Sequence, residues 1–313
     1  MRIVAALGGN ALLERGERPD AAVQRRHVRA AARALAPLAA EHELVICHGN
    51  GPQVGMLALE SENDPALSEP YPLDTLGAQT QGMIGYWLAQ ELRNAGVARP
   101  VAAIVTETVV SESDPAFAHP TKFIGSVYSR HQAQRLAEAR GWTIAADGSR
   151  WRRVVPSPEP QRFVEITPIR TLVAARTVTI CAGGAGAPVL ENESGQLVGV
   201  DAVVDKDLAA ALLARDLHAD ALLLLTDVAA VMRDFGTDDA QPISRIGTDE
   251  LRRLRFPDGS MGPKVQACIR FAEQSGGLAV IGALADASAM LTGAAGTTVL
   301  PAGAAKSLVT GTA

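Results

Sequence analysis

Leu44-Val45-Ile46-Cys47-His48 is a short apolar run, and Gly49-Asn50-Gly51-Pro52-Gln53-Val54-Gly55 follows it with glycines set among polar side chains. An apolar run of this length bounded by glycine reads as a fully buried strand. Pro52 is placed to open a helix, where its missing N–H costs nothing. Strand, turn and helix in that order predict one repeat of an open α/β sheet. In such sheets, ligands bind outside the carboxyl ends of the strands. A purely structural turn rarely needs His, Asn and Gln together, so residues 48–55 are a candidate binding loop.

The same rhythm extends in both directions. Buried strands are expected at Arg2 to Leu7, Leu44 to His48, Val101 to Glu107, Thr177 to Ala182, Ala221 to Thr226 and Leu278 to Gly282. Helical stretches fall between them at Val23 to Glu41, Leu76 to Ala95, Lys206 to Leu217 and Pro263 to Gln274. Continuous Val/Ile/Leu strands alternating with helices predict a mostly parallel sheet covered on both faces. Residues 120–160 break the rhythm: a short helix at Ser129 to Arg140 is followed by two β-prone runs around Asp147-Gly148, a hairpin signal. This interval reads as an inserted excursion, in the manner of a lid. A polar turn near Glu191 to Gly199 marks the expected join between two halves.

At 313 residues the chain exceeds the comfortable size of one core, so one large or two closely joined domains are expected. Hydrophobic residues make up 47% and charged residues 20%, too apolar for disorder. With 29 Lys plus Arg against 34 Asp plus Glu, the chain has no global attraction for nucleic acid or an anionic membrane. Any anionic ligand must therefore be held by a local cluster of donors. Met1 to Leu13 reads as a buried first strand and turn rather than a signal segment, because it runs at once into Glu14-Arg15-Gly16-Glu17-Arg18. Cys47, Cys181 and Cys268 are scattered and lack metal-ligand spacing, which points to a reducing compartment, the cytoplasm.

Two further glycine-rich turns follow strands: Gly8-Gly9-Asn10, and Gly183-Gly184-Ala185-Gly186 before Pro188. Such turns let backbone N–H groups approach an anion. Lysine is rare, at Lys122, Lys206, Lys264 and Lys306 only, in a chain that otherwise uses Arg. Lys122 lies at the base of the excursion, Lys206 between Asp205 and Asp207 at a helix start, and Lys264 after Gly259-Ser260-Met261-Gly262-Pro263 at another. A compact, mobile point charge retained at three such places suits phosphoryl transfer, which is catalysed mainly by positioning and charge neutralisation. There is no Gly-x-x-x-x-Gly-Lys-Ser/Thr loop, no His-Arg-Asp signature, no Gly-x-Gly-x-x-Gly and no Ser-nucleophile elbow.

With these segments in view, the chain resembles the amino-acid kinase superfamily and, within it, the carbamate kinases. The resemblance rests on Ala6 to Leu12, His48 to Gly55, Thr80-Gln81-Gly82-Met83-Ile84-Gly85-Tyr86, Pro120-Thr121-Lys122, Arg152 to Pro158, Gly199 to Asp207, Leu225 to Val228 and Gly259 to Lys264. It implies an open three-layer αβα sandwich with a mostly parallel central sheet and a small protruding subdomain at about 120–160. Residues 1–192 would bind carbamate and residues 193–313 would bind nucleotide with Mg2+, in a homodimer. The implied reaction is phosphoryl transfer between ATP and carbamate, giving ADP and carbamoyl phosphate, in arginine catabolism. Gly8, Gly9, Asn10, His48, Gly49, Asn50 and Gly51 would line the substrate region, and Lys122 would reach carbamate from the subdomain. Lys206 and Lys264 would clamp the phosphates with Asp207 holding them, while Asp227, Val228, Met261 and Gly262 would border the nucleotide. No protein metal ligands are assigned. The chain departs from the pattern at Phe123, Ala185, Ala187, Ala229 and Met232. The first is expected to change lid stiffness and the others to affect affinity and nucleotide contacts.

Overall fold

Alternate residues of the strand Arg2–Leu7 face opposite helical layers, and all but Arg2 are buried. Ile3, Ala5 and Leu7 belong to one apolar cluster with Val28, Leu35 and Leu88, while Val4 and Ala6 belong to another with Ala210, Leu213 and Ala272. Complete burial of an Ile or Leu side chain contributes about 1.5–3 kcal/mol. A strand buried on both faces cannot alternate apolar with polar residues, which is why it reads as a continuous apolar run. The computed structural model describes residues 1–14, 16–256 and 261–302.

Arg2–Leu7 lies inside an eight-stranded sheet among the described residues, with the order 245–247, 297–300, 278–283, 221–226, 2–7, 43–48, 178–180 and 101–103. Every neighbouring pair is parallel except 278–283 with 297–300. The helices described are α1 (Ala21–Glu41), α2 (Gly51–Asn63), α3 (Leu73–Asn94), α4 (Arg130–Arg140), α5 (Ile166–Ala174), α6 (Lys206–Asp216), α7 (Thr248–Leu251), α8 (Met261–Ser275) and α9 (Ala287–Leu291). Helices α1, α3 and α9 supply one layer, and α5, α6 and α8 supply the other. The expected sandwich is therefore present, with the strand Ala221–Thr226 hydrogen-bonded directly to Arg2–Leu7.

One expected strand divides. Val101–Ala103 pairs in the main sheet, but Glu107–Val109 belongs to a separate four-stranded sheet with 187–191, 197–199 and 162–163. The reason is Gln81 of α3. Its amide donates to the carbonyl of Thr106 at 3.0 Å and accepts from the Thr106 N–H at 2.9 Å. The Thr106 carbonyl also accepts from Ala187 N at 2.8 Å, so Gln81 satisfies the backbone where the chain leaves one sheet and enters the other. The short strands Arg245–Gly247 and Thr297–Leu300 were not expected from the sequence, nor was the extent of α2.

The excursion is a three-stranded antiparallel sheet, Lys122–Tyr128, Arg150–Val155 and Thr143–Asp147, with α4 between the first and last of these. Ser129 and Gln132 form a reciprocal capping box that starts α4, and Gly141 ends it in the left-handed region. Asp147 opposite Arg150 closes the hairpin around Gly148, as its sequence signalled. The subdomain sits on α2: Ile124 and Val155 pack with Val54 and Ala58. Gly55 and Gly125 touch so closely that a Cβ on Gly55 would lie 2.9 Å from the Gly125 backbone. Among the described residues, no helix is long and apolar enough to cross a membrane.

Candidate functional site

Because the central strands run parallel, their carboxyl ends open onto one edge of the sheet. There the turn after Leu7, the 48–51 loop, the turn after Ile180 and the Thr226-Asp227 segment stand side by side. Gly8 N donates to Leu225 O at 2.9 Å, Gly49 N to Leu7 O at 2.9 Å and Cys181 N to Ile46 O at 3.0 Å, so each loop is tied to its neighbour. A Cβ on Gly49 would lie 3.0 Å from the Gly9 nitrogen, which is why glycine serves there.

His48 and Asn50 are nearly fully buried, at 1% and 6% exposure. The structure places both side chains in the packing between the 48–51 loop and the glycine-rich turn at 183–186. His48 Nδ1 stands 3.0 Å from the carbonyl of its neighbour Gly49, which can only accept, so Nδ1 carries the proton. The unprotonated Nε2 then faces Gly183, where a Cβ would come within 2.3 Å. Asn50 donates to Thr80 Oγ1 at 2.8 Å and occupies the space that a Cβ on Gly184 would need. Thr106 Oγ1 accepts from Ala182 N at 2.9 Å and Thr108 Oγ1 donates to Ala185 O, fixing the turn from its other side. Ala182 and Ala185 both take positive φ, 49° and 78°. Ala185, a departure from the resembled pattern, thus holds an alanine where glycine is at home.

The second component is a chain of ion pairs across the mouth of these loops. Asp205 caps α6 with Oδ1, which accepts from Asp207 N at 2.8 Å. Its Oδ2 accepts from Lys122 Nζ at 2.7 Å, reaching in from the protruding subdomain. Asp207, with its side chain 6% exposed, accepts from Lys206 Nζ at 2.5 Å through Oδ1 and from Lys264 Nζ at 3.1 Å through Oδ2. The structure therefore brings together Lys122, Lys206, Lys264 and Asp207, which lie up to 142 positions apart in the chain. Three ammonium groups face two carboxylates, leaving an excess of one positive charge beside the N-terminus of α6.

Burial and this charge cluster set the protonation states. Burial alone would raise the Asp207 pKa, but the Lys206 and Lys264 charges outweigh it and hold the carboxyl down at about 2. His48 is pushed down to about 4 by burial, with the Lys206 charge adding to it against the Gly49 hydrogen bond. It is therefore a neutral imidazole at pH 7. Burial raises the Cys47 thiol to about 12 and lifts Cys181 and Cys268 as well, so none of the three is a thiolate nucleophile.

Asp227 and Val228 are exposed at the end of Ala221–Thr226, and Met261 and Gly262 form the first turn of α8 alongside Lys264. Phe123 pairs with Val154, and the Arg152 guanidinium covers its ring at 5.6 Å, so this departure adds a packed cation–π contact to the subdomain. Gly259, Ser260, Lys306 and the side chain of Asn10 lie outside the described residues. Sequence reasoning gave no role to Asp205, Gln81, Thr106 or Glu62. Glu62 of α2 is an anchor of the subdomain, pairing with Arg140 at 2.5 Å and Arg153 at 3.1 Å. Of these, Asp205 had a readable signal: an Asp directly before an Ala/Leu-rich helix is a strong N-cap candidate.

Comparison with known proteins agrees with this architecture. The sequence model of the Amino acid kinase family matches residues 1–282. A carbamate kinase of Rhizobium meliloti is 50% identical over 303 residues, covering 96% of this chain and 93% of its own. A carbamate kinase of Haemophilus influenzae is 49% identical over 300 residues, with 96% of each chain covered. Among solved structures, carbamate kinase from Giardia lamblia bound to AMP-PNP superimposes with a TM-score of 0.88 at 37% identity, covering 96% of this chain and 98% of that one. The chain is a kinase and belongs to the amino acid kinase family, in its carbamate kinase branch.

Proposed function

We propose that this protein transfers a phosphoryl group reversibly between ATP and carbamate, and that the linked lysines do the electrostatic work. The observation that carries the reading is the Lys122–Asp205, Lys206–Asp207–Lys264 chain at the carboxyl edge of the sheet. Carbamate and ATP are both anions, so they meet only where fixed positive charge offsets their repulsion. Lys206 and Lys264, held in place by Asp207, are suited to the transferring phosphoryl oxygens. Lys122, on the subdomain, is suited to the carbamate end, with the Gly8–Asn10 and His48–Gly51 loops around it. Asp227, Val228, Met261 and Gly262 would border the nucleotide. The carbamate oxygen is already ionised, so the transfer needs no strong general base, in keeping with a neutral, inward-facing His48.

Mg2+ would be held chiefly by nucleotide phosphates and water. Asp205 and Asp207 are already paired with ammonium groups, and no group of three or more His, Cys, Asp or Glu converges among the described residues. Bound there, it would neutralise charge on the nucleotide phosphates. Residues 1–192 would then form the carbamate half and 193–313 the nucleotide half, meeting across the sheet. We also infer a homodimer in the cytoplasm, with ATP formation in arginine catabolism as the physiological use.

The test is ATP formation from ADP and carbamoyl phosphate by purified protein, with and without Mg2+. Rapid formation that requires Mg2+ supports the reading. Folded protein that binds ADP yet forms no ATP, while phosphorylating glutamate or acetylglutamate, would replace it with a different acceptor. Sedimentation at micromolar protein reads the dimer.

A further inference from the structure

We propose that Asp205 is a positioning residue for the reaction: it holds the Lys122 ammonium over the start of α6 and so couples the protruding subdomain to the phosphate clamp. The inference rests on the function proposed above and adds a residue to its site.

Asp205 uses its two oxygens for different tasks. Oδ1 accepts from Asp207 N at 2.8 Å and from Leu208 N at 3.4 Å, which fixes the carboxylate against the first turn of α6. Oδ2 is left for Lys122 Nζ at 2.7 Å. The Lys122 side chain is 35% exposed and that of Asp205 is 14% exposed, so the fixed partner is the acid and the adjustable one is the lysine. A lysine has four rotatable bonds and no preferred direction in solvent. Tied to Asp205, its ammonium is confined next to Lys206, the following residue, which pairs with Asp207. Packing holds the rest of the subdomain at its far side, through Gly55 against Gly125 and through Glu62 with Arg140 and Arg153. Toward Asp205 the subdomain is also held by Arg153 with Asp201 at 3.5 Å and by Val203 N donating to Pro156 O at 2.9 Å, and the Lys122–Asp205 pair is the contact there that fixes the ammonium. Net charge makes the arrangement permissive: with Asp205 and Asp207 both ionised, the three ammonium groups still leave an excess of one positive charge at the start of α6.

Replacing Asp205 separates the two tasks. Asn caps a helix about as well as Asp, so Asp205→Asn keeps the α6 cap and removes only the charge that holds Lys122. Asp205→Asn should unfold at the wild-type temperature and lower kcat/KM for carbamoyl phosphate by about tenfold, the scale of one charge-assisted hydrogen bond, leaving the KM for ADP unchanged. In a Lys122→Ala background the same substitution should cost nothing further. Lys122 acetylation by acetic anhydride, followed by peptide mass, should be several-fold faster in Asp205→Asn than in wild type. This readout needs no turnover. A wild-type protein that makes no ATP would refute the functional reading, while Lys122 labelling would still decide the tether. Equal labelling in the two proteins, unchanged or increased kcat/KM in Asp205→Asn, or an undiminished loss in the Lys122→Ala background would overturn the role assigned to Asp205.

Discussion

Acid should weaken this protein through His48 before Asp207 loses its charge. The imidazole is buried, and its pKa is pushed down from 6.5 to about 4. In the unfolded chain it returns to the ordinary value, so the unfolded state binds the proton more tightly. Stability from the neutral imidazole is complete above the unfolded pKa and is lost as pH falls toward the folded one. Linkage between those two values gives a loss of roughly 2 kcal/mol on going from about pH 7.5 to about pH 5, approaching about 3 kcal/mol in stronger acid. Asp207, held at about 2, titrates lower and adds little in this window. Urea unfolding at the two pH values, for wild type and His48→Asn, isolates the effect. Asparagine keeps a donor toward the Gly49 carbonyl but cannot be protonated, so its packing penalty is the same at both pH values. Wild type should lose roughly 2 kcal/mol more than the variant over this range. Equal losses in the two proteins would refute the argument that His48 is buried and neutral.

Gly183→Ala puts a Cβ against His48 Nε2 and should destabilise the fold by about 1–3 kcal/mol, read as a lower urea midpoint, with activity falling as the loop shifts. Lys206→Ala and Lys264→Ala should each lower kcat by about a hundredfold in coupled assays of ATP formation, at saturating levels of both substrates. Lys122→Ala should instead raise the KM for carbamoyl phosphate by about tenfold and leave that for ADP unchanged. Wild-type kinetics in all three lysine variants would remove the lysines from the site.

The apolar runs at 2–7, 43–48 and 221–226 determined their own fate. Strands buried on both faces need no polar alternation, and that pattern is local and readable. The rarity of lysine, and its position at helix starts, was also legible, as was the Asp147-Gly148 hairpin. What the chain alone did not carry was which groups meet. Gln81 splits the expected strand at Thr106 because a side chain from α3 happens to reach that backbone, and nothing in residues 101–107 announces it. His48 and Asn50 were legible as part of a candidate binding loop, but their packing under Gly183 and Gly184 had no local signal. The pairing of Lys122 with Asp205, and of Lys264 with Asp207, depends on how the subdomain and α8 fold back over α6. Local backbone preference and burial are written residue by residue, but an ion pair between groups tens of positions apart exists only once the sheet has fixed the directions of its loops.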